Sequence, residues 1–80
     1  MLDVVIMSAQ QIFYEGKANQ VILPGQQGVF EVQKFHHPIV SCLLPGVIVV
    51  DEQILPIHRG IVRVEKNKLS IIVDPDFSQS

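Results

Sequence analysis

The side chains with chemistry to offer are few: His36, His37 and His58, the single Cys42 with Ser41 beside it, and a scatter of carboxylates. Successive residues of a strand point to opposite faces, so His36 and His37 cannot share one ion as strand residues. In a turn they can, with His58 or Cys42 as a third ligand. The spacing matches neither a paired Cys-x-x-Cys nor a His-x-x-x-His zinc signature. The residues favour a polar loop ahead of Pro38. The alternative is a small stand-alone β-barrel that binds a metal or small ligand through its histidines. A dyad drawn from Cys42 or Ser41 with His36 or His58 lacks a strand-to-helix elbow or a helix N-terminus, the usual means of activating such a nucleophile. Asp51 and Glu52 fall in an expected turn and Asp74 and Asp76 in the tail, so both pairs read as solvated charges. The stretch Pro24-Gly25-Gln26-Gln27-Gly28 has two glycines but no helix signal and no Lys-Ser/Thr after it, so it is no phosphate-binding loop. It reads as a turn whose backbone can approach another chain, since glycine leaves room. No catalytic set, metal site or cofactor is expected.

The elements that must carry these residues are strands. β-Branched residues dominate, and turn signals recur at short intervals, the pattern of an all-β sandwich or barrel. Expected strands are Leu2 to Met7, Ile12 to Tyr14, Ala18 to Leu23, Val29 to Gln33, Ile39 to Leu44, Val47 to Val50, Gln53 to His58, Ile61 to Glu65 and Leu69 to Val73. Pro45–Gly46 has the composition of a type II turn, and Asp51–Glu52 marks another reversal. Lys66–Asn67 reads as a tight turn because Asn tolerates positive φ. In the last strand Leu69, Ile71 and Val73 share one face. Cys42, inside an apolar run, reads as a small core residue.

Eighty residues support one domain, expected over 1–74 with a short polar tail at 75–80. A formal charge of −2 with scattered Lys and Arg gives no footprint for nucleic acid. One cysteine permits no internal disulfide. The N-terminus lacks the basic region of a signal peptide, and no apolar run approaches the roughly 20 residues of a membrane span. Hydrophobic residues make up 48% of the chain, more than one small core can hide, so part of the surplus is expected to form a partner-binding face.

Five motifs in order resemble the ε subunit of F-type ATP synthase, called δ in mitochondria. Leu2-Asp3-Val4-Val5 followed by Phe13-Tyr14-Glu15-Gly16 resembles that family's first hairpin. Val21-Ile22-Leu23-Pro24-Gly25-Gln26-Gln27-Gly28 is similar to its apolar-Pro-Gly-x-x-Gly segment, and His36-His37-Pro38-Ile39 to its His-Ala-Pro-Leu. Leu44-Pro45-Gly46-Val47-Ile48 resembles its Leu-x-x-Gly-x-Ile stretch. Gly60 to Val64 with Asn67 to Ile72 is similar to its closing hairpin. The chain departs from the pattern at Glu31, at Lys34-Phe35 and at Arg59-Gly60.

The resemblance implies a flattened β-sandwich or barrel of about eight to ten short, mostly antiparallel strands. It implies a non-catalytic central-stalk subunit that binds the γ subunit and the ring of c subunits and meets the α/β catalytic head only indirectly. Such a subunit belongs to a peripheral complex at the cytoplasmic face of the inner or plasma membrane. By position, Gly25, Gln26, Gln27, Gly28 and Val29 would form the loop that meets the ring, and His36, Pro38 and Ser41 would lie on the side that meets γ. The family's usual second part is a helical hairpin that can brake ATP hydrolysis. Only Pro75 to Ser80 follow Asp74, so the expectation is coupling without inhibition by helix extension.

Overall fold

The computed structural model describes residues 1–33 and 37–75. They form eight strands: β1 (Leu2–Met7), β2 (Ile12–Ala18), β3 (Gln20–Gly25), β4 (Gly28–Gln33), β5 (Ile39–Leu43), β6 (Gly46–Val50), β7 (Gln53–Glu65) and β8 (Lys68–Pro75). The strands hydrogen-bond in the order β2-β1-β8-β7-β5-β3-β4, with β6 pairing both β3 and β7. All pairings are antiparallel except β1 with β8. The expected all-β sandwich class is the one the chain adopts.

Alternation in the sequence selects the inward face. Leu2, Val4 and Ile6 of β1 and Leu69, Ile71 and Val73 of β8 are buried, while the residues between them are not. Every strand contributes to the single core, down to Ala18 from β2 and Val32 from β4. Each large aliphatic side chain taken fully out of water contributes about 1.5–3 kcal/mol. The core holds no buried polar or charged residue among those described.

The sheet bends at one corner. β5 pairs Ile39–Leu43 against Val64–Gly60, and β6 pairs Gly46–Val50 against Ile57–Gln53, in one continuous register along β7. Pro45–Gly46 is therefore not a chain reversal, as its composition suggests; β5 and β6 run the same way. Pro45 has no N–H to give to a ladder, so pairing lapses there and the strand turns a corner. Opposite it, the β7–β8 register shifts between Ile57 and Arg59. Ile57 and Val62 both point inward although they lie an odd number of positions apart, which a strand achieves only with an extra residue. That bulge, at His58–Arg59, joins what read as two strands into one bent β7.

Three two-residue connections reverse the chain, at Gln26–Gln27, Asp51–Glu52 and Lys66–Asn67. In the last, positive φ falls on Lys66 (58°) rather than on Asn67. Asp51 also has positive φ, 51°, and its carboxylate is no idle charge. Its Oδ1 accepts the Asn19 and Gln20 amides at 3.0 and 3.1 Å, and its own N–H donates to the Gln20 carbonyl at 3.2 Å. One side chain thus ties the β6–β7 turn to the start of β3. Asp51→Ala is expected to destabilise the domain by about 1–3 kcal/mol, since two amides lose a charged acceptor and alanine resists the left-handed region. Asp51→Asn keeps one acceptor oxygen and should lose less. Urea midpoints for the two variants check the order.

Candidate binding surfaces

His37 and His58 do not converge. His37 lies exposed just ahead of β5, whereas His58 lies exposed in the bulge facing β5's far end. His36 lies outside the described residues. Among the described residues no three His, Cys, Asp or Glu side chains are grouped to hold a metal ion. Cys42 is exposed, not in the core as its apolar surroundings suggest. Leu43 sets the phase of β5: buried and paired with both Gly25 and Gly60, it sends Ile39 and Ser41 toward the inner side and Val40 and Cys42 outward. Ser41 Oγ donates to the carbonyl of Cys42 at 3.3 Å.

The segment Gly25–Val29 is a tight hairpin tip. Pro24 and Gly25 are buried strand residues, and Gln26, Gln27, Gly28 and Val29 are exposed. Gly25 pairs with Gly28, whose φ of 119° suits only glycine. Gly25 is needed for a different reason: a Cβ there would stand 2.6 Å from the ring of Phe30. A groove of about 490 Å³ runs between this tip and β5, lined by Gly25 to Phe30 on one side and Ile39, Val40 and Ser41 on the other. It brings the expected ring-facing loop and Ser41 together. Its rims carry Val29 and Val40, 73% and 71% exposed, the two most exposed large apolar side chains among the described residues. Pro38 lines a neighbouring depression with Val40 and Arg63.

The pairing registers reveal a larger feature that residue spacing alone did not. Cys42 of β5 pairs with Ile61 of β7, Ile61 with Ile72 of β8, Ile72 with Met7 of β1, and Met7 with Ile12 of β2. Paired residues share a face, so these side chains form one apolar row crossing five strands on the outward side. Ile12, Ile61 and Ile72 are 56%, 50% and 59% exposed. A cleft of about 760 Å³ opens beside the row, lined by Ser8, Cys42, Leu44, Ile61, Ile72 and Pro75 among others. The only signal in the sequence was the surplus of apolar residues, which does not say where they gather.

The opposite end of the same face is charged. Lys17, Asp3, Lys68 and Glu65 are successive register partners, and Lys17 Nζ stands 2.6 Å from Asp3 Oδ1. The hydrogen bond from Lys17, helped by the charges of Lys17, Lys68 and the N-terminus, outweighs desolvation and holds the Asp3 carboxyl below the usual carboxylate range. The exposed face is thus graded from charged to apolar along the strands.

Comparison with known proteins agrees with this architecture. Residues 1–76 match the family model for the ATP synthase delta/epsilon chain β-sandwich domain. The ATP synthase epsilon chain of Leptospira interrogans is 30% identical over 77 residues, covering 91% of this chain and 61% of that protein. The plastid ATP synthase epsilon chain of Prototheca wickerhamii is 33% identical over 78 residues, covering 92% and 58%. The chain therefore spans about three fifths of the length of the curated relatives it matches. In fold it is similar to a chain in the cryo-EM structure of the Tetrahymena thermophila mitochondrial ATP synthase central stalk and c-ring. The TM-score is 0.76 at 14% identity, covering 91% of this chain and 63% of that one. With a match running from the first strand through the last, this chain belongs to the ATP synthase delta/epsilon β-sandwich family.

Proposed function

We propose that this chain is a non-catalytic central-stalk subunit of an F-type ATP synthase, binding the γ subunit and the c-ring and helping to couple ion-driven rotation to ATP synthesis. The observation that carries the reading is the apolar row Cys42-Ile61-Ile72-Met7-Ile12 on a family member whose relatives are epsilon chains. A torque-bearing part needs a stiff body and adhesive faces. The bent sheet, packed on one aliphatic core, supplies stiffness. The row, continued on β5 by Val40 near Ser41 and Pro38, supplies a desolvable face for γ. The hairpin tip Gly25–Val29 supplies a narrow backbone-rich contact for the ring, and its position beside β5 makes the two contacts contiguous. The complex so formed is peripheral, on the cytoplasmic face of the membrane, and touches the α/β head only through γ. No helix of the described residues is long and apolar enough to cross a membrane.

Site-directed cross-linking tests the two contacts together. After Cys42→Ser removes the exposed native thiol, Val29→Cys is expected to cross-link to the polar loop of a c subunit, and Ser41→Cys to γ. Failure of the wild-type chain to bind γ from the same source would sink the proposal. Exchanged partners would keep the function and reverse the orientation.

A further inference from the structure

The Gln26–Gln27 tip is exposed, yet its base is held at three points. The Leu44 amide, at the β5–β6 corner, donates to the Pro24 carbonyl at 2.8 Å. Gly46 lies flat against the Pro24 ring, where an added Cβ would stand 3.0 Å from Pro24 Cβ and 3.3 Å from Cγ. The Phe30 ring covers Gly25, where an added Cβ would meet it at 2.6 and 2.7 Å. The corner that receives Pro24 is in register with β7 on both its sides, through Leu43–Gly60 and Gly46–Ile57. The tip is thus joined to β7 through the Leu44–Pro24 hydrogen bond and close packing at the corner.

We infer that Gly46 and Phe30 are positioning residues that lock the Gly25–Val29 hairpin to the β5–β6 corner, so that tip and outer face move as one body. This rests on the reading of that hairpin as the ring-facing contact. An exposed two-residue tip is ordinarily among the most mobile parts of a fold, and a mobile tip would yield before passing on a load. Here a sideways push on the tip is resisted by the Pro24 ring against Gly46 and by Phe30 against Gly25. Both contacts depend on a missing side chain, so alanine at Gly46 or loss of the Phe30 ring should loosen the joint and leave the core unchanged.

Amide hydrogen exchange on the 80-residue chain tests the joint, with Gly46→Ala and Phe30→Ala compared with wild type. The Leu44 and Gly28 amides are expected to exchange at least about tenfold faster in both variants, while amides of β1 and β8 stay within about twofold, since local opening is separate from global unfolding. In the assembled ATP synthase, Gly46→Ala should remain bound and lower the number of coupling ions pumped per ATP hydrolysed, a ratio that mere loss of stability does not change. Unchanged exchange at Leu44 and Gly28 in both variants would overturn the joint. Faster exchange with an unchanged pumping ratio would overturn its part in coupling. A wild-type chain that does not assemble defeats the stalk reading instead, and the exchange data from the isolated chain still decide the joint.

Discussion

Replacing both Ile61 and Ile72 with lysine is expected to weaken binding to γ by about 100-fold or more, with the fold retained. The two are direct register partners at the middle of the apolar row, each about half exposed. In the free chain a lysine at either position keeps its ammonium in water and lays its stem along the sheet. Exposed strand substitutions of this kind cost at most about 1 kcal/mol. In the complex both charges would be stripped of water with no partner, at several kcal/mol each. A loss of about 2.8 kcal/mol already corresponds to 100-fold, so even partial relaxation leaves a large effect. Titration calorimetry against γ measures it, and circular dichroism melts confirm that the variant folds. Conversion of both residues to valine should bind within a few-fold of wild type. An unchanged dissociation constant for the lysine pair would mean that the row faces solvent in the complex, and γ would have to be placed elsewhere.

The second large effect is structural. Gly60 sits where β7 leaves its bulge, and a Cβ there would stand 2.7 Å from the Ile72 carbonyl oxygen and 3.3 Å from Val73 Cα. Both are backbone atoms of β8, so no side-chain rotation relieves the clash; the two strands must part. Overpacking of this kind costs about 1–3 kcal/mol and at times more, out of a total near 4–12 kcal/mol for a domain of this length. Gly60→Ala is therefore expected to lower the melting temperature by about 8–20 °C, and Gly60→Val to leave little folded protein at 37 °C. Gly16→Ala provides the contrast. A Cβ at Gly16 meets only the Tyr14 ring at 3.9 Å, an ordinary contact, and the melt should move by no more than a few degrees. Equal shifts for the two alanine variants would show that strand entropy, not the β8 backbone, governs Gly60.

These two sites also mark what could be read from the residues alone. β8 was legible because its burial follows strict alternation through Leu69, Ile71 and Val73. The turns at Asp51–Glu52 and Lys66–Asn67 were legible because polar pairs interrupt apolar runs. Cys42 was misplaced since hydrophobicity cannot choose the phase of a short strand in which both alternating sets are apolar; Leu43, facing Gly60 and Gly25, chooses it. Pro45 reads as a reversal because Pro-Gly has the same local chemistry at a corner, and only the shared register along β7 tells the two apart. One clue did lie in the sequence: apolar Ile57 and Val62 are separated by an odd number of positions, and a bulge is what reconciles them. The apolar row was invisible for a deeper reason. It links Ile12 and Met7 to Ile72 through the parallel pairing of β1 with β8, and no local pattern predicts which distant strands will be neighbours.

That parallel pairing has a consequence for how the molecule comes into being. Of the eight strands, β1 is made before the others, and one of its two edges is satisfied only by β8, the last of the eight. Until Lys68–Pro75 has emerged, Leu2–Met7 can form its hairpin with β2, yet its other row of amides and carbonyls stays open. Such an edge invites pairing with other chains, and closing so long a loop is slow. The strand that joins β1 to β7 is thus made last, so the half-made domain is its most aggregation-prone form. A cell that makes many copies has reason to shield that edge, or to supply a partner early, during synthesis rather than after it.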